Sequence, residues 1–170
     1  MLIVEVKQYQ GEGLTALSPR VLGITEATRA QRVESVRKPK LTAQQYLSNV
    51  SSAHEQVTRY VWEEAEKRHY IISWGATAFA VRVQDSRTGN EISFLYGYES
   101  RYDFYFDGIP FSLQDAEAWR RELLATGVFR SSGRHTLRGV EVTENNKATI
   151  MQVLQRIFER MDVLLVELVA

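Results

Sequence analysis

Four short apolar segments stand in a row between Tyr70 and Asp107, each closed by residues that turn a chain. They are Tyr70–Trp74, Ala78–Gln84, Glu91–Tyr98 and Tyr102–Asp107, separated by Gly75, by Asp85–Asn90 and by Glu99–Arg101. Connections this short join antiparallel neighbours, because a parallel pair needs a crossover of roughly a dozen residues or more. Phe79, Val81 and Val83 alternate with Ala80 and Arg82, so at least one of these strands buries a single face. An antiparallel meander therefore sits at the centre of the chain, and whatever else folds must cover one side of it.

The covering elements read as helices. Thr42 followed by Gln45 forms a capping box, with Leu41 and Tyr46 at the staple positions. Tyr46, Val50, Ala53, Val57, Val61 and Ala65 then recur at helical spacing, which predicts one helix down to His69. Ser112 with Asp115 starts another helix, and Gly127 ends it. A polar loop, Arg130–His135, leads into a fifth strand at Thr136–Thr143. Asn145 or Asn146 caps a last helix running to about Val169, with Ile150, Leu154, Ile157, Met161, Leu164 and Leu168 as a heptad-like seam. That seam reads first as core packing and second as a partner interface, so a homo-oligomer is expected. The class is α+β: an antiparallel meander sheet with flanking helices, plus an N-terminal strand-helix arm.

Bulk composition excludes several functions. Hydrophobic residues make up 44% and charged residues 25%, an ordinary globular balance. With 21 basic and 21 acidic residues there is no global field to attract nucleic acid or membrane. Cysteine is absent, which removes disulfides, thiolate metal sites and thiol catalysis. No apolar run, Val163–Val166 included, is longer than four residues, too short to span a bilayer, and the start lacks a signal-peptide pattern. A cytoplasmic protein without a membrane partner is the expectation. Basic residues do cluster locally, in RAQRVESVRKPK, and Arg29, Arg32, Arg37, Lys38 and Lys40 are candidates for contact with a nucleic-acid backbone. The same stretch marks the domain boundary, giving 1–40 as an arm with a basic linker and 41–170 as the main domain. An arm of that size buries too little to fold alone and is expected to dock.

The arm carries the one pattern with chemistry in it. Leu2–Tyr9 alternates as a strand and places Glu5 and Lys7 two residues apart on one face, about 6.5–7 Å from each other. Leu14–Val36 follows as a poor helical pattern broken by Pro19 and Gly23, read as one or two short helices. The Glu5-Val6-Lys7 strand with its Gly-flanked loop resembles the second half of the motif of the PD-(D/E)XK (restriction-endonuclease-like) nuclease superfamily, over residues 1–36. The resemblance implies a metal-dependent nuclease-like protein acting on nucleic acid. Glu5 would ligate magnesium and Lys7 would position the attacking water. In that superfamily an Asp from the preceding strand completes the site, and no Asp occurs here before Asp85. The chain accordingly reads as starting mid-domain, as a C-terminal part that is inactive alone unless a second carboxylate comes from elsewhere. The alternative is a non-catalytic α+β module for oligomerisation or for binding a ligand or protein.

Three further groups have residues of possible chemical use. His54, His69 and His135 lack metal-ligand spacing and read as solvated or helix-terminal. The run Arg101–Asp107, with Tyr96 and Tyr98, is rich enough in aromatics to stack single-stranded bases, but Phe104 and Phe106 read as the core face of a strand. The loop Arg130–His135 could hold a phosphate or simply turn at the surface.

Overall fold

The computed structural model describes residues 3–11, 14–22, 39–85 and 88–167, with side chains for 39–85 and 88–164. The chain falls into two compact units, Met1–Lys38 and Pro39–Ala170.

In the first unit, β1 (Ile3–Gly11) pairs antiparallel with β2 (Leu14–Leu22) as a hairpin. The expected helix after the Glu-x-Lys strand is thus replaced over Leu14–Leu22 by a second strand. Two local facts account for the difference. Leu17, Pro19 and Val21 recur with period two, and Pro19 would break a helix interior, whereas a two-stranded hairpin has only edge strands, where proline is tolerated. The remainder of the expected helical stretch, residues 23–36, lies outside the described residues.

The second unit is built on a six-stranded, fully antiparallel sheet. Its strands are β3 (Ile71–Trp74), β4 (Phe79–Gln84), β5 (Glu91–Gly97), β6 (Tyr102–Tyr105), β7 (Phe129–Ser131) and β8 (Thr136–Gly139). The spatial order is β3-β4-β5-β6-β8-β7, so the expected meander is present and a hairpin extends it. β7 lies where the sequence reads as a polar loop. Its register Phe129↔Gly139, Arg130↔Arg138 is anchored by one buried aromatic, Phe129, too little signal for a strand on its own.

Among the described residues four helices flank the sheet: α1 (Ala43–Ser48), α2 (Ser52–Lys67), α3 (Leu113–Ala125) and α4 (Lys147–Glu167). The single helix expected over 42–69 is two. Thr42 makes the capping box of α1, but the Ser51 side chain accepts a hydrogen bond from His54 N and starts α2 afresh. α2 ends in a Schellman motif, with Tyr70 N donating to Ala65 O at 2.8 Å and His69 N to Glu66 O at 3.0 Å. His69 holds the left-handed position, φ 57°, that glycine usually occupies.

One face of the sheet meets the helices. Val81, Leu95, Phe104 and Leu137 form a fully buried row across β4, β5, β6 and β8. A register shift beside Val81/Arg82 lets both Phe94 and Leu95 be buried. Trp119 of α3 lies 4.9 Å from Phe104, and Phe158 of α4 lies 5.9 Å from Phe94, each edge-on. Two glycines permit close packing: the Phe79 ring lies over Gly97, and a Cβ on Gly139 would collide with the Tyr102 carbonyl. The seam of α4 belongs to this core, since Ile150, Leu154, Ile157 and Met161 are all buried. A network joins α2 to α4: Arg68 Nε donates to Asp162 Oδ2 at 2.7 Å and Tyr70 OH to Asp162 Oδ1 at 2.6 Å. Among the described residues no helix is long and apolar enough to cross a membrane.

Candidate functional site

The residues with the clearest expected chemistry are Glu5 and Lys7. Both lie on β1, with Arg20 and Ser18 as their register partners on β2. Between them β1 and β2 contain a single acidic residue, Glu5. Magnesium takes hard oxygen ligands in a near-octahedral shell, and one carboxylate with an arginine across the ladder does not fit it. No group of three or more His, Asp or Glu side chains that could hold a metal occurs among the described residues. Of the basic candidates, Arg29, Arg32, Arg37 and Lys38 lie outside the described residues; Lys40 is exposed at the start of the second unit.

His54 corrects the expectation of a solvated histidine. It is 1% exposed, stacked on Tyr102 at 4.9 Å between ring centroids. Tyr46 OH donates to Tyr98 O at 2.6 Å, which commits its proton and leaves it accepting from His54 Nε2 at 3.0 Å. Nε2 then carries the hydrogen, and Nδ1 is buried with no hydrogen-bond partner. Burial lowers the imidazole pKa to about 4, only partly opposed by the Tyr98 carbonyl. Thr58 Oγ1 and Tyr102 OH complete the group at 2.5 Å. No opening reaches this cluster: Tyr46, Thr58 and Tyr102 are all buried. It is a packed polar joint rather than a site.

A cavity of about 420 Å³ lies between β6 and α3, floored by Phe106, Ile109 and Phe111. His135 Nδ1 stands 3.4 Å from Asp107 Oδ1 at its edge. A dyad of this kind needs a nucleophile, and the nearby hydroxyl is already committed. Ser112 Oγ accepts from Asp115 N at 3.1 Å and donates to Asp115 Oδ2 at 2.6 Å, as the N-cap of α3. Arg120 is engaged as well. Its guanidinium donates to Ser131 Oγ and to the carbonyls of Gly133, Arg134 and Thr136, at 2.6–3.4 Å. The Arg130–His135 turn is therefore tied down by Arg120, which answers whether it is a loose surface loop.

The sheet face turned away from the helices is different in kind. Because side chains alternate, the residues between the buried positions share it: Tyr96 opposite Asp103, then Tyr105, Arg138 and Arg130. Phe104 and Phe106 are core, as expected, while Tyr96, Tyr98 and Tyr105 are half-buried on this open face. Tyr96 and Tyr105 sit 4.6 Å apart between ring centroids. Burial and the neighbouring Tyr98 hydroxyl push the Tyr105 phenol up to about 12, so it stays neutral. The Arg101 guanidinium lies over the Tyr98 ring at 4.6 Å and pairs with Asp103 at 3.1 Å.

Beyond Arg101 the face turns basic. Arg130 and Arg138 are exposed and directly opposite one another on adjacent strands. Neither guanidinium makes a hydrogen bond or ion pair with a described residue. Like charges in this position destabilise a ladder, by an amount on the order of 0.2–1 kcal/mol. With Arg101, Ser100, Ser132 and the Ser131 backbone they line a cleft of about 580 Å³, which also holds one carboxylate, Glu141; the Ser131 hydroxyl is taken by Arg120 on the helix side. Sequence reasoning noticed Arg101 and Arg130 separately and missed Arg138. The signal that unites them is the β7–β8 register, which only a recognised hairpin could supply.

No family model, curated protein or solved structure matches this chain.

Proposed function

We propose that the chain is a non-catalytic α+β binding module whose ligand is a phosphate-bearing polymer, held in the cleft of Arg101, Arg130 and Arg138. The carrying observation is the Arg130↔Arg138 pair: two exposed, unpartnered guanidinium groups facing each other across a ladder. An anion between them converts mutual repulsion into two charge-assisted contacts, and guanidinium forks match phosphate oxygens. The hydroxyls of Ser100 and Ser132 on the same walls supply additional donors. The test is fluorescence anisotropy of a labelled oligonucleotide on the full chain across a salt series. Arg130→Ala and Arg138→Ala are each expected to weaken binding and to reduce the salt slope by about one. Affinity that ignores salt, or that survives both substitutions, overturns the reading.

A nuclease is the second reading, favoured by the formed strand that sets Glu5 and Lys7 two residues apart along β1. It needs a carboxylate from beyond the described hairpin. Cleavage of DNA or RNA that requires magnesium or manganese and disappears in Lys7→Ala supports it; cleavage that persists in Lys7→Ala removes it.

A further inference from the structure

We infer that the polymer is single-stranded nucleic acid, with bases stacking on the tyrosines of β5 and β6 while its phosphates occupy the arginine cleft. This deepens the binding reading above and rests on it.

The argument is one of arrangement. On the open face the unpaired arginines lie apart from the tyrosines: Tyr96, Tyr98 and Tyr105 belong to the β5–β6 side, Arg130 and Arg138 to the β7–β8 side, and Arg82, the arginine beside Tyr96, is paired with Glu91 at 2.9 Å. Arg101 joins the two zones, stacked on Tyr98 and lining the cleft. A polyanion without bases would use the second zone only, and nothing in it would explain three half-buried tyrosines on a sheet face with no described helix over it. Unpaired bases present π-faces to such a platform, whereas in a duplex those faces are covered by their neighbours in the stack. Depressions on either side of Tyr96 complete the platform. One, of about 240 Å³, runs along Ala80, Arg82 and Tyr98; the other, of about 550 Å³, runs along Ser93 and Tyr105. Asp85, Glu91 and Asp107 border the second depression, so it suits a base edge with donor groups better than a phosphate. The phosphates are thereby directed to the arginines. Each strand in a sheet is about 4.8 Å from the next, so the distance from β5 to β7, three strand spacings, is about 14 Å, a span of a few nucleotides.

The experiment compares three probes on the full chain by anisotropy and competition: a labelled oligo-dT strand, a duplex of equal length and inorganic polyphosphate. Each is measured with the unmodified chain and with Tyr96→Leu, Tyr96→Phe, Tyr105→Leu and Arg138→Ala. The single strand is expected to bind at least about tenfold more tightly than the duplex. Tyr96→Leu and Tyr105→Leu are each expected to weaken the single strand by about five- to a hundredfold, leaving the salt slope and polyphosphate competition unchanged. Tyr96→Phe, which keeps the ring, should bind as the unmodified chain does and controls for damage to the fold. Equal affinity for strand and duplex, or leucine variants that bind the strand normally, overturns the single-strand inference while leaving the arginine cleft intact. If Arg138→Ala changes none of the three affinities, the cleft itself is wrong and both readings fall.

Discussion

Protonation of His54 should cost this protein a measurable part of its stability. The residue is 1% exposed and its folded pKa lies near 4, against 6.5 for the free side chain. A base whose pKa falls on folding binds its proton more readily in the unfolded chain, so stability is complete above pH 6.5 and is lost as pH falls toward 4. Carrying the two values through the linkage relation gives a loss of about 2 kcal/mol at pH 5 and about 3 kcal/mol at pH 4. Glu64, the buried carboxylate whose pKa is lowered by Lys67 and Arg68 in spite of its burial, loses its contribution only below its ordinary range. The interval from pH 6.5 to about 4.5 thus belongs to His54. The assay is urea unfolding at about pH 7.5 and pH 5, comparing the natural chain with His54→Phe, which keeps a ring against Tyr102 and cannot titrate. The natural chain should lose about 2 kcal/mol more than the variant over that interval. An equal loss in both proteins, or an imidazole seen by NMR to titrate near 6.5 in the folded state, refutes the reasoning.

Four other outcomes follow from particular contacts. His69→Gly should stabilise the domain by about 0.5–1 kcal/mol in thermal or urea unfolding, because it removes a side chain from the left-handed C′ position of α2. Arg120→Ala should free the β7–β8 turn, raising amide exchange at residues 131–136 and costing about 1–3 kcal/mol. Met161→Asp should unfold the domain rather than dissociate an oligomer, since Met161 is 1% exposed; circular dichroism and light scattering distinguish the two. Arg130→Glu, on the edge strand, should raise stability by up to about 1 kcal/mol, by turning a repulsive cross-strand pair into an attractive one, while abolishing oligonucleotide binding.

The meander is legible from local pattern alone. Four apolar runs separated by short turns admit only antiparallel neighbours, and β3 to β6 fall where that argument places them. Helix starts were equally local: Thr42 and Ser112 cap α1 and α3 through hydrogen bonds to residues three positions away. What escaped local reasoning was long-range. β7 is a strand because Phe129 has a place in the core and a partner in Gly139, not because Phe-Arg-Ser has a strand pattern. Leu14–Leu22 is a strand because β1 offers a ladder that a helix could not use. His54 lies on the helical stripe of Val50, Val57 and Val61, and what encloses it is Tyr46, eight residues earlier, and Tyr102 of β6, brought in only by the fold. The candidate site is the plainest case. Arg101, Arg130 and Arg138 are scattered over 38 residues, and the pairings β6-β8 and β8-β7 bring them to one face. Capping and alternation act over a few bonds and can be read along the chain, whereas strand register is set by which apolar side chains share a core, and that exists only once the chain has folded.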